Sequence, residues 1–308
     1  MIRFSVVIPL YNKKEHIRRS IDSVLNQTYK SFEIIVVNDG SDDEGDLYVK
    51  EYGERVRLIS QYNMGSSAAR NKGIENAQFD FICLLDADDE WKPNFLADIA
   101  SLIHLYPEHN IYSARYEIVK ENHELMIPQT PYENYYKGVL KDFINIYRKY
   151  DGIINSSSVC LRKSYFYKLD KFPIGQQQGE DVYLWLLYGI NTEVVFSNTI
   201  ASRYYKNATN RSTDRLDNLP YQFVYYLPLI SNRKVVDKTD LLKFLYKDAL
   251  LHIGDLVIRN KKETAVEHSI SLYRLNKVIG LSCLILIRLP KSFLKKLQSL
   301  RNWKRMCS

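Results

Sequence analysis

Paired glycines are missing from this sequence. None of its twelve glycines stands in a Gly-x-Gly arrangement, which excludes the phosphate-cradling turn of dinucleotide-binding sheets and the glycine-rich first loop of a nucleotidylyltransferase. Gly40 and Gly45 have P-loop spacing, but Asp46 stands where that loop needs lysine. Any phosphate bound here must have its charge offset by other means. Cysteine is sparse: Cys83, Cys160, Cys283 and Cys307 are widely spaced with no Cys-x-x-Cys pair. Neither a zinc site nor a disulfide framework is expected, and a reducing cytosol fits. No apolar run approaches the length of a spanning helix, and Met1-Ile2-Arg3 runs straight into a strand pattern with no charged-then-apolar leader. The expectation is a protein neither exported by such a signal nor threaded through a bilayer, resident in the cytoplasm. Acid is missing from the end of the chain, since residues 271–308 hold nine Lys or Arg and no Asp or Glu. The first 270 residues carry 34 basic against 36 acidic side chains, so the net charge of +7 belongs to the tail. That argues against a nucleic-acid-binding face on the body and for an acidic surface as the tail's partner.

What is present is a chain of 308 residues, 45% hydrophobic, long enough to bury a sizeable core. Strand patterns at Phe4–Ile8, Phe32–Val37, Val56–Ile59 and Phe81–Leu85 alternate with helical periodicity, and Ile17, Ile21, Val24 and Leu25 form the apolar stripe of a helix packed on a sheet. Alternation of this kind predicts an α/β fold with a doubly wound, mostly parallel sheet. From Ile111 to about Tyr205 the pattern is less regular and rich in Tyr, Asn and Ser; beyond Asp214 it is helical, with Leu241, Leu242, Leu245, Leu250 and Leu251 supplying apolar faces. The expected organisation is a domain over 1–215, divided into halves 1–110 and 111–215, followed by a helical extension over 216–308. In the tail, Ile279, Leu281, Leu284, Ile285, Ile287 and Leu289 precede Pro290, and Phe293, Leu294, Leu297, Leu300 and Trp303 follow among basic residues. This is the profile of a helix lying in the interface of an anionic membrane. The competing reading is a terminal helix docked through those same leucines.

The most informative stretch is Phe81-Ile82-Cys83-Leu84-Leu85-Asp86-Ala87-Asp88-Asp89, a buried-strand pattern ending in three carboxylates within four residues. At the carboxyl end of a parallel strand such charges face the crevice where open α/β sheets bind ligands. They repel one another unless a cation or donors offset them, and a hard divalent ion shared with substrate phosphates is a common solution. Taken alone, the cluster reads equally as an acidic turn capping the helix after Trp91-Lys92-Pro93.

Further segments join it: Val6-Val7-Ile8-Pro9-Leu10-Tyr11-Asn12, Val36-Val37-Asn38-Asp39-Gly40-Ser41, and Asn63-Met64-Gly65 with Ala69-Arg70-Asn71-Lys72-Gly73. Later come Asn155-Ser156-Ser157-Ser158, Phe172-Pro173-Ile174-Gly175, and Gly179-Glu180-Asp181 before Trp185. Together, over about residues 2–205, they resemble the family 2 glycosyltransferases, inverting enzymes of the GT-A fold that take a sugar from a nucleotide diphosphate. The resemblance implies that Pro9, Tyr11 and Asp39 meet the base and ribose. It implies that Arg70 contacts or stacks on the donor, and that Asp86 and Asp88 hold Mg²⁺ or Mn²⁺, with Asp88 the direct ligand. Asp181 is the candidate general base, with Glu180, Asn155 and Trp185 toward the acceptor. Each has a blander reading: an Asx turn for Asp39, a surface ion pair for Arg70, and complementation of a helix over Val182–Tyr188 for Glu180 and Asp181.

Two departures sharpen the expectation. No Gln-x-x-Arg-Trp follows Asp181, so addition of a single sugar is expected rather than polymerisation. Where family members often carry a His, the chain reads Ser202-Arg203-Tyr204-Tyr205-Lys206-Asn207, and Lys206 is a candidate diphosphate contact. The function expected is metal-dependent transfer from a UDP-type donor to a saccharide, a lipid-linked glycan intermediate of surface polysaccharide at the inner membrane face. The alternatives are a polyprenyl-phosphate glycosyltransferase and a catalytically silent glycan-binding module.

Overall fold

The computed structural model describes residues 1–150, 153–176, 178–208, 218–231 and 238–297. It divides into two compact units, Met1–Gln176 with Leu184–Arg211, and Gln177–Tyr183 with Ser212–Ser308. The short stretch carrying Glu180 and Asp181 groups with the second unit.

The first unit is built on one mixed sheet. Its strands are β1 (Phe4–Leu10), β2 (Phe32–Asp39), β3 (Arg57–Gln61), β4 (Phe81–Leu84), β5 (Glu90–Trp91), β6 (Ile111–Val119), β7 (Leu125–Met126), β8 (Lys137–Leu140), β9 (Val159–Arg162) and β10 (Val194–Tyr205). The order is β3-β2-β1-β4-β9-β6-β10-β5, with β7 added to β6 and β8 to β10. Parallel pairing dominates by length: β1 with β2 and β4, β2 with β3, and β6 with β10. Strand β9 runs antiparallel between β4 and β6 and joins the two parallel blocks.

Strand β1 is the hinge of this arrangement. Phe4, Val6, Val7, Ile8 and Leu10 are all buried, as a strand covered on both faces requires, each contributing about 1.5–3 kcal/mol of apolar burial. Its register pairs Phe4 with Phe32 on one side and with Phe81 on the other. Strands β1, β2 and β4 therefore leave the sheet at the same edge, and the segments after Leu10, Asp39 and Leu84 face one crevice. Leu85 still donates its N–H to the Val7 carbonyl at 3.1 Å, so the acidic turn begins where pairing stops.

Helices α1 (Lys14–Leu25), α2 (Gly45–Lys50), α3 (Ser66–Asn76), α4 (Phe95–Leu105), α5 (Phe143–Lys149) and α6 (Lys163–Phe166) belong to this unit. On α1, Ile17, Ile21 and Val24 are buried, as their spacing predicts. Helix α3 packs through small residues instead; a Cβ on Gly73 would lie 2.3 Å from Val7 Cγ1. Only glycine allows that approach of helix to strand. Helix α7 (Glu180–Asn191) starts in the second unit and continues in the first.

The second unit holds α8 (Tyr221–Ser231), α9 (Lys238–Ile258), α10 (Lys262–Leu275) and α11 (Lys277–Leu286). Buried Leu241, Leu245, Ala249, Ile253 and Leu256 line α9 at helical spacing. Tyr183, Tyr221, Tyr225 and Tyr226 pack ring against ring, and the Tyr226 hydroxyl donates to the Tyr183 carbonyl at 3.1 Å.

A histidine pair lies inside this helical unit. The rings of His252 and His268 stack, with Nε2 of the first 2.9 Å from Nδ1 of the second. Burial first, and then the His268 charge, press the His252 pKa down to about 3. The unfolded chain binds a proton here near the ordinary histidine value, so the contribution to stability is intact above about pH 6.5 and is lost as pH falls toward 3. The unfolding midpoint of the protein should thus drop on acidification over that window, by on the order of 5 kcal/mol in stability across its whole width. His252→Gln should flatten this component in chemical denaturation at pH 7 and pH 5; parallel losses in both proteins would refute the assignment.

Candidate active site

The loops after β1 and β2 are laced together. Asn12, at φ +51°, donates its N–H to Ser41 Oγ at 3.1 Å and accepts from the Asp42 N–H at 3.0 Å. Pro9 and Tyr11, expected at base and ribose, are half-buried on this edge.

Asp39, expected with them at the base and ribose, lies on the same edge and is 2% exposed. Oδ1 accepts from Gln61 Nε2 at 2.7 Å and the Met64 N–H at 2.9 Å, and Oδ2 accepts from the Gly65 N–H at 2.8 Å. With four acceptor sites on a carboxylate, one remains on Oδ2. Asp39 is first a clamp on the loop leading into α3. Its neighbour ties the turn, since Asn38 Oδ1 accepts from the Ser41 N–H at 2.9 Å.

The acidic turn after β4 carries three carboxylates with three different fates. Asp86 pairs with Arg70, Nη2 to Oδ1 at 2.7 Å. Arg70 is buried rather than a surface residue, with its guanidinium 5.4 Å from the centre of the Phe172 ring. Phe172 is itself pinned to α3 by two bonds to the Asn71 side chain, at 2.8 and 3.2 Å. Asp88 pairs with Lys13, Nζ to Oδ2 at 2.6 Å. Asp89 is buried and caps no helix, the residue before α4 being Asn94. It accepts from Ser157 Oγ and from the Tyr205 N–H, the latter at 2.9 Å. Burial, and then the charges of Asp88 and Asp86, push its pKa well above the carboxylate range.

Backbone contacts hold the turn. Arg19 donates to the Asp88 carbonyl and lies 3.6 Å over the Tyr205 ring, and Ser20 Oγ donates to the Asp89 carbonyl at 2.7 Å. Ser157 accepts from the Asp86 N–H at 3.1 Å through Oγ and from Trp91 Nε1 at 2.7 Å through its carbonyl. Asn155 orders that segment, its Oδ1 accepting from the Ser157 N–H at 2.9 Å. Lys206, just past β10, is exposed.

No group of three His, Cys, Asp or Glu side chains arranged to hold a metal occurs among the described residues. What the turn offers is two carboxylates, Asp86 and Asp88. That set fits a hard divalent ion whose remaining positions go to water and substrate phosphates, and does not fit an all-protein cage.

A sheet with this order, carrying paired carboxylates and cations at the exit of β1 and β4, can be compared with known proteins. The glycosyl transferase family 2 model matches residues 5–169, more than half of the chain. The chain belongs to glycosyltransferase family 2. Among solved structures, S. aureus TarS 1–349 in complex with UDP-GlcNAc matches with a TM-score of 0.67 at 16% identity, covering 92% of this chain and 89% of that one. At that identity the likeness is one of fold, GT-A with C-terminal helices. Glycosyltransferase GlyA of Streptococcus pneumoniae serotype 4 is 30% identical over 207 residues, 64% of this chain and 29% of GlyA. Amylovoran biosynthesis glycosyltransferase AmsB of Erwinia amylovora is 41% identical over 108 residues, 33% of this chain and 36% of AmsB. An uncharacterised glycosyltransferase of Rickettsia bellii is 32% identical over 184 residues, 59% of this chain and 26% of that protein. The aligned region thus spans 26% to 36% of these three relatives' length.

In this family 2 chain, Glu180 and Asp181 open α7 within the second unit. Asp181 Oδ1 accepts from the Val182 N–H at 2.7 Å, and Glu180 is buried. The preceding Gly179 has φ +77°, which strains other residues, and a Cβ there would lie 3.0 Å from the Tyr221 backbone nitrogen. Gln222 donates to Asp248 Oδ2 at 2.8 Å. Trp185 is fully buried, edge-on to Phe172, and presents no surface to an acceptor; it supports the ring beneath Arg70. Two contributors were missed in sequence. Ser157, within Asn155-Ser156-Ser157-Ser158, and Lys13, just before α1, carry no role legible from the sequence alone.

Proposed function

We propose that this glycosyltransferase moves a single sugar, with inversion, from a UDP-type nucleotide donor to a saccharide hydroxyl of a lipid-linked glycan intermediate in surface polysaccharide synthesis. The observation that carries the reading is the clustering of Arg70–Asp86 and Lys13–Asp88 at the shared exit of β1 and β4. A crevice of this kind suits a nucleoside diphosphate, since it supplies fixed cations for phosphate oxygens and carboxylates for a divalent ion. Asp86 and Asp88 would hold Mn²⁺ or Mg²⁺. Such an ion, when bound, stabilises the negative charge that gathers on the departing diphosphate. Arg70 adds a permanent positive charge beside Asp86. Asp181 takes the proton of the acceptor hydroxyl as that oxygen attacks the anomeric carbon opposite the diphosphate. The new glycosidic bond forms as the bond to the diphosphate oxygen breaks, and the configuration inverts. The GlyA and AmsB names, and UDP-GlcNAc on TarS, support a nucleotide-sugar donor. A panel of nucleotide sugars, scored for slow donor hydrolysis with Mn²⁺ and with EDTA, tests it; turnover of no UDP-sugar, or turnover indifferent to EDTA, would count against the reading.

The lipid-linked acceptor rests on the second unit. Helix α11 buries Ile279, Gly280 and Cys283, yet leaves Val278, Leu281 and Ile285 exposed at 68%, 54% and 57%. Past Pro290, Phe293 and Leu297 are exposed while Leu294 is buried. Both readings of the tail thus have support, one face docking and another open. Lys277, Arg288, Lys291, Lys295 and Lys296 are exposed around it, with no acidic residue in the segment. Leu300 and Trp303 lie outside the described residues. No described helix is long and apolar enough to cross a membrane, and the proposal is peripheral contact with an anionic leaflet. Co-sedimentation with phosphatidylglycerol vesicles should exceed that with phosphatidylcholine vesicles at least about tenfold and fall with salt. Leu281→Glu with Ile285→Glu should abolish it; equal binding to both vesicles would refute it.

A further inference from the structure

Lys13 follows the segment Val6–Asn12 and precedes α1. Its ammonium lies 2.6 Å from Asp88, with 11% of the lysine and 15% of the aspartate side chain exposed. A pair this shielded is screened far less than a surface ion pair. Both backbones are anchored. The Lys13 carbonyl accepts from the His16 and Ile17 N–H groups at 2.9 and 3.0 Å, and Arg19 holds the Asp88 carbonyl. Beside them Asp86 is matched by Arg70, and Arg70 is braced over Phe172. The two carboxylates expected to hold a divalent ion are therefore each balanced by a cation of the chain itself.

A divalent ion approaching Asp88 alone meets a site already neutralised, and would stand against two positive side chains. The balance changes when a diphosphate arrives. Its charge gives the ammonium a new partner and leaves the carboxylate to the metal. The four-carbon stem of lysine permits that exchange, whereas the planar, stacked guanidinium of Arg70 is built to stay. We propose that Lys13 is a resident counter-ion that makes metal binding conditional on the nucleotide: it holds Asp88 in the free enzyme and passes to the diphosphate when metal and donor bind together. This rests on the metal-dependent reading above. By linkage, the coupling is reciprocal, so the nucleotide raises metal affinity by the factor by which the metal raises nucleotide affinity.

The test is Mn²⁺ binding to the full chain, followed by electron paramagnetic resonance of free Mn²⁺, with and without UDP. Lys13→Met and Lys13→Arg would be compared with wild type, and thermal unfolding would confirm that each folds. Lys13→Met should bind Mn²⁺ alone about tenfold more tightly than wild type and lose a similar factor of UDP enhancement. Calorimetry in EDTA should show its metal-free UDP affinity lowered by a comparable factor. Lys13→Arg keeps the charge but not the ammonium's freedom to exchange, so it should bind Mn²⁺ alone as weakly as wild type and show less UDP enhancement. Unchanged Mn²⁺ affinity in Lys13→Met, with UDP enhancement intact, would overturn the role of Lys13 and leave the metal reading standing. Absence of Mn²⁺ binding in every protein, even with UDP, would overturn both.

Discussion

Asparagine at Asp88 should reduce sugar transfer by about 10²–10³-fold or more in kcat, with the fold retained. The magnitude follows from where charge develops. A nucleoside diphosphate leaves with negative charge accumulating on phosphate oxygens, and the proposed site answers it with a divalent ion held through Asp88 and with Arg70. Asparagine keeps the shape of the side chain and an oxygen for Lys13 to donate to, at 2.6 Å in the wild type, but removes the charge a hard cation requires. The Arg19 bond to the residue 88 carbonyl does not depend on the side chain, so the turn should keep its path. Thermal unfolding should therefore move little, while UDP-sugar hydrolysis and transfer collapse together. Alanine is the less informative change, because it also removes the oxygen that accepts from Lys13 and so adds a larger stability cost to the loss of chemistry. Full turnover in Asp88→Asn would remove the metal from the mechanism.

Much of the first unit was legible because its signals are local. Buried parallel strands read as apolar runs, and Val6-Val7-Ile8, Ile34 to Val37 and Ile82 to Leu85 are such runs, all buried in the structure. Each strand then exits into its polar motif, so order along the chain carried the placement of Asp39, Asp86 and Asp88 at one edge. The uses of individual carboxylates were not legible, since they depend on partners far away in sequence. The Asp39 motif does not show that Gln61, Met64 and Gly65 also hold its carboxylate. Asp89 looks like Asp88 in sequence, yet Ser157 and Tyr205, from β9's approach and from β10, bury it. Trp185 sits in a functional motif, but an aromatic at a buried helical position packs against whatever ring faces it, here Phe172. Lys13 carried no local signal, because a lysine before a helix is ordinary until its ammonium is found on Asp88 75 residues away.

Asp181→Asn should lower transfer to a saccharide hydroxyl by about 10²–10⁴-fold while leaving UDP affinity within error of wild type. A hydroxyl attacks only as its proton is withdrawn, and a carboxylate can take that proton where an amide cannot. The substitution is mild for the fold: the Val182 N–H, which donates to Asp181 Oδ1 at 2.7 Å, can donate equally to the asparagine oxygen. What the helix end loses is the favourable contact of a negative charge with the amino terminus of α7, worth about 0.3–1 kcal/mol. A large fall in rate with a small fall in stability is therefore the signature of a base, and comparable small losses in both mark a helix-end residue. The acceptor supplies a second axis. A polyprenyl phosphate is already ionised and needs no base, so transfer to it would survive in Asp181→Asn, and such survival would move the assignment to that class of enzyme. Transfer to a sugar hydroxyl that survives unchanged would remove Asp181 from the chemistry. A module that only binds glycans would show no turnover with either acceptor, and in that case neither Asp88→Asn nor Asp181→Asn would have a rate to change.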